Sequence, residues 1–553
     1  MIFTILIYLP IVCFAILGLR YHTHMLQLSS YQFQGYFRHL KTDKARMIAH
    51  IAFILLFVIT MSGELINTGI QILALVALLG VYVGLLISYV PKQAKKKFVV
   101  TDRVKRLFVT YVILSFLILV LPYIIFGAFR RSYQDLSPEA GLAGAFISMM
   151  ITVIMMVLYI GLLPLLPALA NLINKPIENR ISRWYIDDAV RMIKEHGNLR
   201  IIGITGSFGK TSVKYYLTTL LSESFSVLMT PESYNTPMGI VRTIREHLKP
   251  THEIFVCEMG ARHLHDIKEI TDIVHPDDGI VTSIGYQHLE TFHSLENIIS
   301  TKYELLDAVD EKEKAEGKQE GKHLKFVNGD NEIIRANMKY PDAITYGLYD
   351  GNDYQAKDVQ VSGAGTSFTV TAPSGETAEF TTRLVGRHNV ENIVGAIAAA
   401  NSLGVPMKKL VMAVRRLVSV PHRLELTKHG NVSILDDAYN SNPNGAKVAL
   451  ETLSLFEESV KILVTPGMVE LGEKEAEYNE EFGKQAAAVC DYIILVGQKN
   501  SADIERGALG AGFDKEKIFT KSSFKEASEL MYEIDAGKEK VILLENDLPD
   551  NYK

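Results

Sequence analysis

The sequence predicts an α-helical transmembrane bundle followed by α/β layers. The first of these is a P-loop, parallel-sheet ATPase domain, and the second is a smaller Rossmann-like α/β domain. Three observations carry this. Up to residue 175 the chain holds apolar runs of bilayer-crossing length, roughly 20 residues each. From residue 200 onward, short β-like apolar runs alternate with helix-like ones, the pattern of a parallel α/β sheet. The charge divides at the same place: residues 1–175 hold 15 Lys and Arg against 5 Asp and Glu, leaving 42 and 57 for the rest. A basic part near +10 therefore precedes an acidic part near −15, a split that the mean composition and the formal net charge of −5 conceal. At 553 residues the chain exceeds one core and suggests three or four domains.

The candidate spans are 3–19, 47–66, 69–90, 107–129 and 144–172, none with a polar face. The short stretch from Gly63 and Glu64 to Asn67 and Thr68 suits a tight hairpin between the second and third. Twelve Lys and Arg lie in the segments 20–46 and 91–106, whereas the other loops hold only Arg130 and Arg131. The positive-inside rule places those two segments in the cytoplasm. The N-terminus is then outside, and five crossings deliver residue 173 onward to the cytoplasm of a multi-pass cell-membrane protein. The first run lacks a basic leading region and a small-residue cleavage site, so it is not a removable signal peptide. No Asp, Glu, Lys or Arg lies near the middle of any span, with Glu64 and His50 close to ends, which disfavours ion transport. Anchoring in membrane lipid, or contact with a lipid-linked partner, is the expectation.

A connecting amphipathic helix is expected over 176–198, broken at Gly197 and Asn198. A central ATP-binding domain follows over 199–420 and a C-terminal domain over 421–553. In the central domain, strands are expected at 200–205, 225–229, 253–259 and 279–284, with helices at 210–223, 239–247 and 264–273. The charged stretch 310–323 reads as an exposed helix end or loop. An antiparallel excursion is expected over 366–384, then a helix over 389–403. The C-terminal layer should have strands at 432–435, 461–464 and 492–496. Cys13, Cys257 and Cys490 are too far apart for a disulfide scaffold or a cysteine zinc site. One Trp and no basic aromatic-laced stripe argue against nucleic-acid binding.

The sharpest chemical signal is Thr205-Gly206-Ser207-Phe208-Gly209-Lys210-Thr211-Ser212, entered from an apolar strand and left into a helix. Backbone N–H groups of such a turn cradle phosphates, the Lys ammonium reaches the terminal phosphates, and the Thr hydroxyl holds Mg²⁺. Ile204 stands where the common P-loop has its first Gly. Glu258, ending the strand over 253–259, is placed where a Mg²⁺ ligand belongs at the C-terminal edge of a parallel sheet. His288 follows the next strand toward the same edge. By themselves His288 and Lys302 read as a structural histidine and a solvated helix lysine.

Together these segments resemble the Mur ligase family, ATP-dependent amide-bond-forming enzymes of bacterial cell-wall synthesis, over about residues 199–500. The resemblance implies that 205–212 bind ATP and that Glu258 and His288 hold one or two Mg²⁺ ions. It implies a carbamylated Lys302, although Thr301 replaces the family's usual Ala. Gly386-Arg-His388-Asn389-Val-Glu-Asn392 looks like the G-x-H-N-x-x-N segment that contacts the nucleotide. Arg423 corresponds to an arginine reaching the phosphates from the third domain, and Asp437 to a ribose or nucleotide contact. The motif Asp436-Asp437-Ala-Tyr439-Asn440-Ser-Asn442-Pro443 resembles the branch that adds D-alanyl-D-alanine to UDP-N-acetylmuramoyl-tripeptide. The segments 235–239 and 467–473 are branch-like as well.

The implied chemistry is activation of a carboxylate by the ATP γ-phosphate, then attack of an amine on the acyl phosphate. Lys210 and Arg423 would stabilise the transferring group, while Thr211, Glu258, His288 and carbamylated Lys302 would hold Mg²⁺. The amine donor is expected to be a dipeptide or amino acid. The family's branch begins with a soluble domain gripping the UDP-sugar, and here the membrane half occupies its place. The carboxylate acceptor is therefore expected to be UDP-linked but recognised differently, or lipid-linked. A Mur-like ligase acting on another polymer such as polyglutamate is the rival enzyme. A transporter or scaffold with a degenerate ligase domain as ATP sensor is the rival of another class.

Overall fold

The computed structural model describes residues 2–60, 67–90, 97–122, 124–125, 138–317, 322–362, 365–438, 441–534 and 537–546. The chain forms two compact units, one running to Arg183 and one beginning at Trp184. The hairpin expected around Gly63 and Glu64, the cations Lys92, Lys95 and Lys96, and the loop holding Arg130 and Arg131 lie outside the described residues.

The first unit is helical: Ile2–Leu28, Phe33–Thr42, Lys44–Thr60, Thr68–Ser88, Asp102–Ser115, Pro138–Gly161 and, as far as Arg183, the helix Leu166–His196. Asn67 and Thr101 start two of these helices by accepting from Gly69 N–H and Val104 N–H, the Ncap role that satisfies orphan first-turn donors. Phe14, Leu26, Tyr36, Tyr89 and Tyr111 are buried inside. The outward faces are also apolar: Ile48, Ile51, Leu55 and Val58 on one helix, Ile72, Leu73, Val76 and Leu79 on another, each exposed by 57% or more. Among the described residues one helix, Thr68–Ser88, is long and apolar enough to cross a membrane, and a second if the bent pair Val153–Gly161 and Leu163–His196 counts as one span.

The span expected over 144–172 is thus not straight but bent by 57°. Pro164 explains the break, because it has no N–H to give the Ile160 carbonyl in a continuing helix. His50 takes that place, Nδ1 donating to the Ile160 oxygen at 2.9 Å. Tyr89 bridges His50 and His22 at 2.6 and 2.9 Å, and Tyr36 reaches His22 at 3.0 Å and the Pro164 carbonyl at 2.6 Å. A second correction concerns the connecting helix. It begins at Leu166 rather than 176 and carries Pro176 in its interior.

The second unit holds two sheets. The first contains β1 (Arg200–Thr205), β2 (Val227–Met229), β3 (Ile254–Glu258), β4 (Asp278–Val281), β5 (Lys325–Asn328), β6 (Ile344–Gly347), β7 (Tyr354–Ser362), β8 (Gly365–Thr371) and β9 (Thr377–Thr382). Their order is β2-β3-β1-β4-β5-β6-β7-β8-β9. All neighbours from β2 to β7 pair in parallel, and β8 and β9 add an antiparallel end. Register sets Ile204 opposite Glu258 and Thr205 opposite Val281, so the P-loop leaves the sheet beside Glu258. The stretch expected as an exposed helix end or loop is instead continuous with the helix Leu295–Glu316 as far as Glu316.

The second sheet contains β10 (Glu425–His429), β11 (Val432–Asp437), β12 (Val460–Thr465), β13 (Tyr492–Val496), β14 (Ile518–Lys521) and β15 (Lys540–Glu545), in the order β10-β11-β15-β12-β13-β14. Only β10 runs antiparallel. The last strand in sequence is inserted between β11 and β12, bringing Glu545 opposite Asp437.

One buried ion pair ties β1 to β4. Arg200 Nε and Nη2 donate to the two Asp278 oxygens at 2.7 and 2.8 Å, and Leu324 N–H donates to Oδ1 at 2.8 Å. Asp278 is fully buried, so removing the cation strands a carboxylate in the sheet. Arg200→Ala should cost about 3 kcal/mol of stability. Urea unfolding followed at fixed pH checks this, and an unchanged midpoint would contradict it.

Candidate active site

The loop after β1 is shaped by two glycines. Gly206 has φ +152, and a Cβ there would lie 2.2 Å from Thr282 Oγ1. Gly209 has φ +81, and a Cβ would lie 2.6 Å from Asn392 Oδ1. Neither conformation nor space admits a side chain without rearrangement. The segment after β4 fastens the loop: Ser207 N–H donates to the Ser283 carbonyl at 2.8 Å, and Phe208 N–H to Ser283 Oγ at 2.8 Å. Thr282 and Ser283 hydroxyls donate back to the Phe208 carbonyl at 2.5 and 2.8 Å. Thr205 Oγ1 donates to the Met259 carbonyl at 3.0 Å. Gly209 caps the helix Lys210–Leu221 without a side-chain acceptor. The first-turn N–H groups of Lys210, Thr211 and Ser212 are therefore left to a ligand, and they present the positive end of the helix dipole to an anion.

Lys210 folds back on its own loop, Nζ donating to the Gly206 and Ser207 carbonyls at 2.6 and 3.2 Å. Burial pushes its ammonium down to about 8. Glu258 opposes that shift, and the nearby positive charge of Arg423 reinforces it. The same electrostatic reach places Arg423, from the turn before β10, near the phosphate loop.

Glu258 is 1% exposed at the end of β3. Its Oε1 accepts from Thr211 Oγ1 and from Asn235 Nδ2, each at 3.1 Å, and Lys214 Nζ lies 3.1 Å from Oε2. Burial alone would raise its carboxyl, but Lys214 and Lys210 outweigh that and hold it below the ordinary value. A carboxylate beside a hydroxyl at a phosphate loop is the hard-oxygen donor set that Mg²⁺ takes. Lys214 was not foreseen as part of the site. Its spacing from Lys210, one helical turn along the same face, is the signal that could have found it.

His288 stands apart from that pair. It begins a short helical turn at φ +50, and its Nδ1 lies 2.6 Å from Glu470 Oε2. Glu470, itself at φ +64, comes from the branch-like segment of the C-terminal domain, and Arg262 Nη1 lies 3.8 Å from its Oε1. Burial lowers the His288 pKa and Glu470 pulls it back. Among the described residues no three His, Cys, Asp or Glu side chains gather as a metal cluster. Of the four expected ligands only Glu258 and His288 belong to those types.

Lys302 is the opposite of the solvated helix lysine that its segment alone suggests. It is 2% exposed on the helix Leu295–Glu316, and burial, with the charge of Lys210, holds its ammonium well below the ordinary value.

The helix Arg387–Ser402 contributes three expected contacts, which divide. His388 Nδ1 is buried without a hydrogen-bond partner, and burial lowers the ring to about 4. Asn392 abuts Gly209 as described. Asn389 is engaged within the protein: Tyr216 hydroxyl donates to its Oδ1 at 2.8 Å and its Nδ2 donates to the Val385 carbonyl at 2.9 Å. These bonds dock the start of the helix.

Asp437 accepts from Leu424 N–H at 3.2 Å. Burial pushes it up to about 6 although Arg423 acts the other way. Its cross-strand neighbour Glu545, 1% exposed, receives the Ser441 hydroxyl at 2.5 Å and was missed with β15. Tyr439 and Asn440 lie outside the described residues. The end of that motif is structural: Asn442 Oδ1 accepts from Gly445 N–H at 3.0 Å and Pro443 opens the helix Pro443–Ser454.

Comparison with known proteins agrees with this arrangement. Residues 204–400 match the Mur ligase middle domain and 422–545 the Mur ligase glutamate ligase domain. The chain is 32% identical over 349 residues to the UDP-N-acetylmuramoyl-tripeptide–D-alanyl-D-alanine ligase of Bacillus subtilis (strain 168), covering 62% of this chain and 72% of that protein. The crystal structure of MurF ligase from Thermotoga maritima in complex with ADP superposes with a TM-score of 0.57 at 25% identity, over 66% of this chain and 81% of that one. MurF from Acinetobacter baumannii shares the fold, with a TM-score of 0.58 at 23% identity over 67% and 78% of the two chains. With both Mur ligase domains matched along the chain and a 32% identical relative covered over 72% of its length, the chain belongs to the Mur ligase family.

Proposed function

We propose that this protein is a membrane-anchored, ATP-dependent ligase that adds D-alanyl-D-alanine to a muramoyl tripeptide in peptidoglycan synthesis. The Thr211–Glu258 pair beside Lys210 on one phosphate loop carries the reading, with the charge of Arg423 acting on Lys210, and the similarity to D-alanyl-D-alanine ligases selects the substrates. The apolar outer faces of the first unit support a multi-pass anchor with the catalytic domains in the cytoplasm.

The tripeptide carboxylate attacks the γ-phosphorus and ADP leaves. The amine then attacks the acyl carbon of the acyl phosphate, inorganic phosphate leaves, and the amine nitrogen loses a proton. Lys210, released from the Gly206 and Ser207 carbonyls, would follow the charge of the transferring group, with Arg423 approaching from the third domain. Thr211 and Glu258 would hold Mg²⁺, whose charge neutralises the phosphate oxygens. Burial, with the charge of Lys210, holds the Lys302 ammonium well below its ordinary value, which favours the neutral amine that takes up CO₂. A carbamate there would add a carboxylate to the metal-binding set, with His288 as the remaining member.

The test is phosphate release by purified protein that requires both D-alanyl-D-alanine and a muramoyl tripeptide, UDP-linked or lipid-linked. ATP hydrolysis indifferent to both would refute the assignment.

A pH dependence follows from Lys210. Bound phosphate raises the pKa of its ammonium above the value of about 8 in the free protein. Below pH 8 the proton is already present and this group gives no slope. Above pH 8 nucleotide binding must take up a proton, so affinity should fall by up to about tenfold per pH unit. Calorimetry in buffers of different ionisation enthalpy reads the uptake, and a flat affinity from pH 7 to 9.5 would exclude the linkage.

A further inference from the structure

The first unit contains a polar cavity of about 360 Å³, within the size range of small-molecule sites. It lies among the turn after the first helix, the start of the helix Asp102–Ser115 and the middle of the helix Leu166–His196. Its lining includes Tyr31, Gln32, Arg103, Lys175, Asn179 and Ser182. Arg103 is held in place before any ligand arrives. Its guanidinium lies 3.8 Å from the centre of the Tyr31 ring, Nη2 donates to Asn171 Oδ1 at 3.3 Å, and Asn171 Nδ2 donates to the Tyr31 carbonyl at 3.0 Å. Yet Arg103 Nε and the Tyr31 hydroxyl are both buried without a hydrogen-bond partner. Buried donors of this kind ordinarily find an acceptor.

Charge narrows the class of acceptor. The carboxylate lining the cavity, Glu178, is shared by Arg106, in a bidentate pair at 2.6 and 2.8 Å, and by Arg103, whose Nε lies 3.9 Å from Oε2. One carboxylate against Arg103, Arg106 and Lys175 leaves two positive charges in excess, amid the amides of Gln32 and Asn179 and the hydroxyl of Ser182. A planar guanidinium and an ammonium suit phosphate oxygens. A diphosphate group carries at least one negative charge on each phosphate, matching the two charges in excess, while the neutral donors suit hydroxyls of an attached sugar. The turn residues and Arg103 belong to the two cation-rich segments that the positive-inside rule puts in the cytoplasm.

We propose that this cavity is a binding site for a diphosphate ester of a sugar, supplied as a polyprenyl lipid or as a UDP derivative. The proposal rests on the ligase reading above, since it gives the acceptor substrate a handle in the unit that precedes the ligase domains. Exposed Lys175 is the variant of choice because its side chain lies outside the core, and Arg103→Gln is the second.

The experiment is calorimetry on the full chain in nanodiscs of zwitterionic lipid, with the P-loop saturated by Mg²⁺ and a non-hydrolysable ATP analogue. The probes are farnesyl diphosphate, farnesyl monophosphate and UDP. Binding of either diphosphate, weakened at least about tenfold by Lys175→Gln and by Arg103→Gln, is the expected result. Preference for farnesyl diphosphate identifies the lipid source, and preference for UDP the nucleotide source. Equal binding of monophosphate and diphosphate, or diphosphate affinities unchanged in Lys175→Gln, would overturn the proposal. Phosphate release measured on the same preparations separates the two readings. Its absence in the wild type rejects the ligase assignment, whereas its presence beside unchanged probe affinities rejects only the cavity.

Discussion

Lys210→Ala should lower substrate-dependent phosphate release by about a thousandfold or more, the largest effect expected of any single substitution in this protein. The backbone N–H groups of the phosphate loop survive the change, because Gly206, Gly209 and the hydrogen bonds to Ser283 set the loop's shape without the lysine. What disappears is the cation that sits inside the loop on two carbonyls and can move with the transferring group. Lys214 cannot replace it, since its ammonium is paired with Glu258 and donates to the Glu232 carbonyl. Nucleotide affinity should fall far less than turnover, about tenfold, because the amides still cradle the phosphates. Thermal melting should be unchanged. Turnover near the wild-type level with intact folding would remove the phosphate-transfer role from this loop.

The parts of the molecule that were legible in the sequence are those fixed by neighbours along the chain. β1 and β13 begin and end where their apolar runs do, and the phosphate loop follows from spacing alone. What escaped depends on distant partners. β5 and β6 are four-residue strands whose pairing comes from a sheet already formed, too short for a period to show. β15 is the last of the described strands and takes an interior place in its sheet, so Glu545 had no visible reason to meet Asp437. The break in the fifth expected span was written in Pro164, but the histidine that satisfies the freed carbonyl lies on another helix. The motif names Asn389 without its bonds to Tyr216 and Val385, because residue types along the chain do not say which distant partners a side chain meets. Lys302 shows the reverse. Its segment looks like a solvated helix face, and only the packed fold buries it.

Lys302→Ala tests what that burial is for. A lysine 2% exposed, with its ammonium disfavoured by burial and by Lys210, is a costly residue for a helix to keep as a mere spacer. If it works as a carbamate, Ala removes a carboxylate from the metal-binding set, and phosphate release should fall by about a hundredfold or more. Stability should hold or rise, because the substitution also removes an unfavourably buried amine. Acetate or propionate should then recover at least about tenfold of the lost rate by placing a carboxylate in the vacated space, whereas chloride at equal ionic strength should not. The wild type adds an independent arm: stripping dissolved CO₂ should depress its activity, and bicarbonate should restore it. A purely structural lysine makes the opposite set of predictions, namely a lowered melting temperature, no response to carboxylic acids and no dependence on CO₂. Intact melting together with failed rescue would dismiss the carbamate while leaving the Lys210 result untouched, because the two residues act on different partners, one on the transferring phosphate and one on the metal.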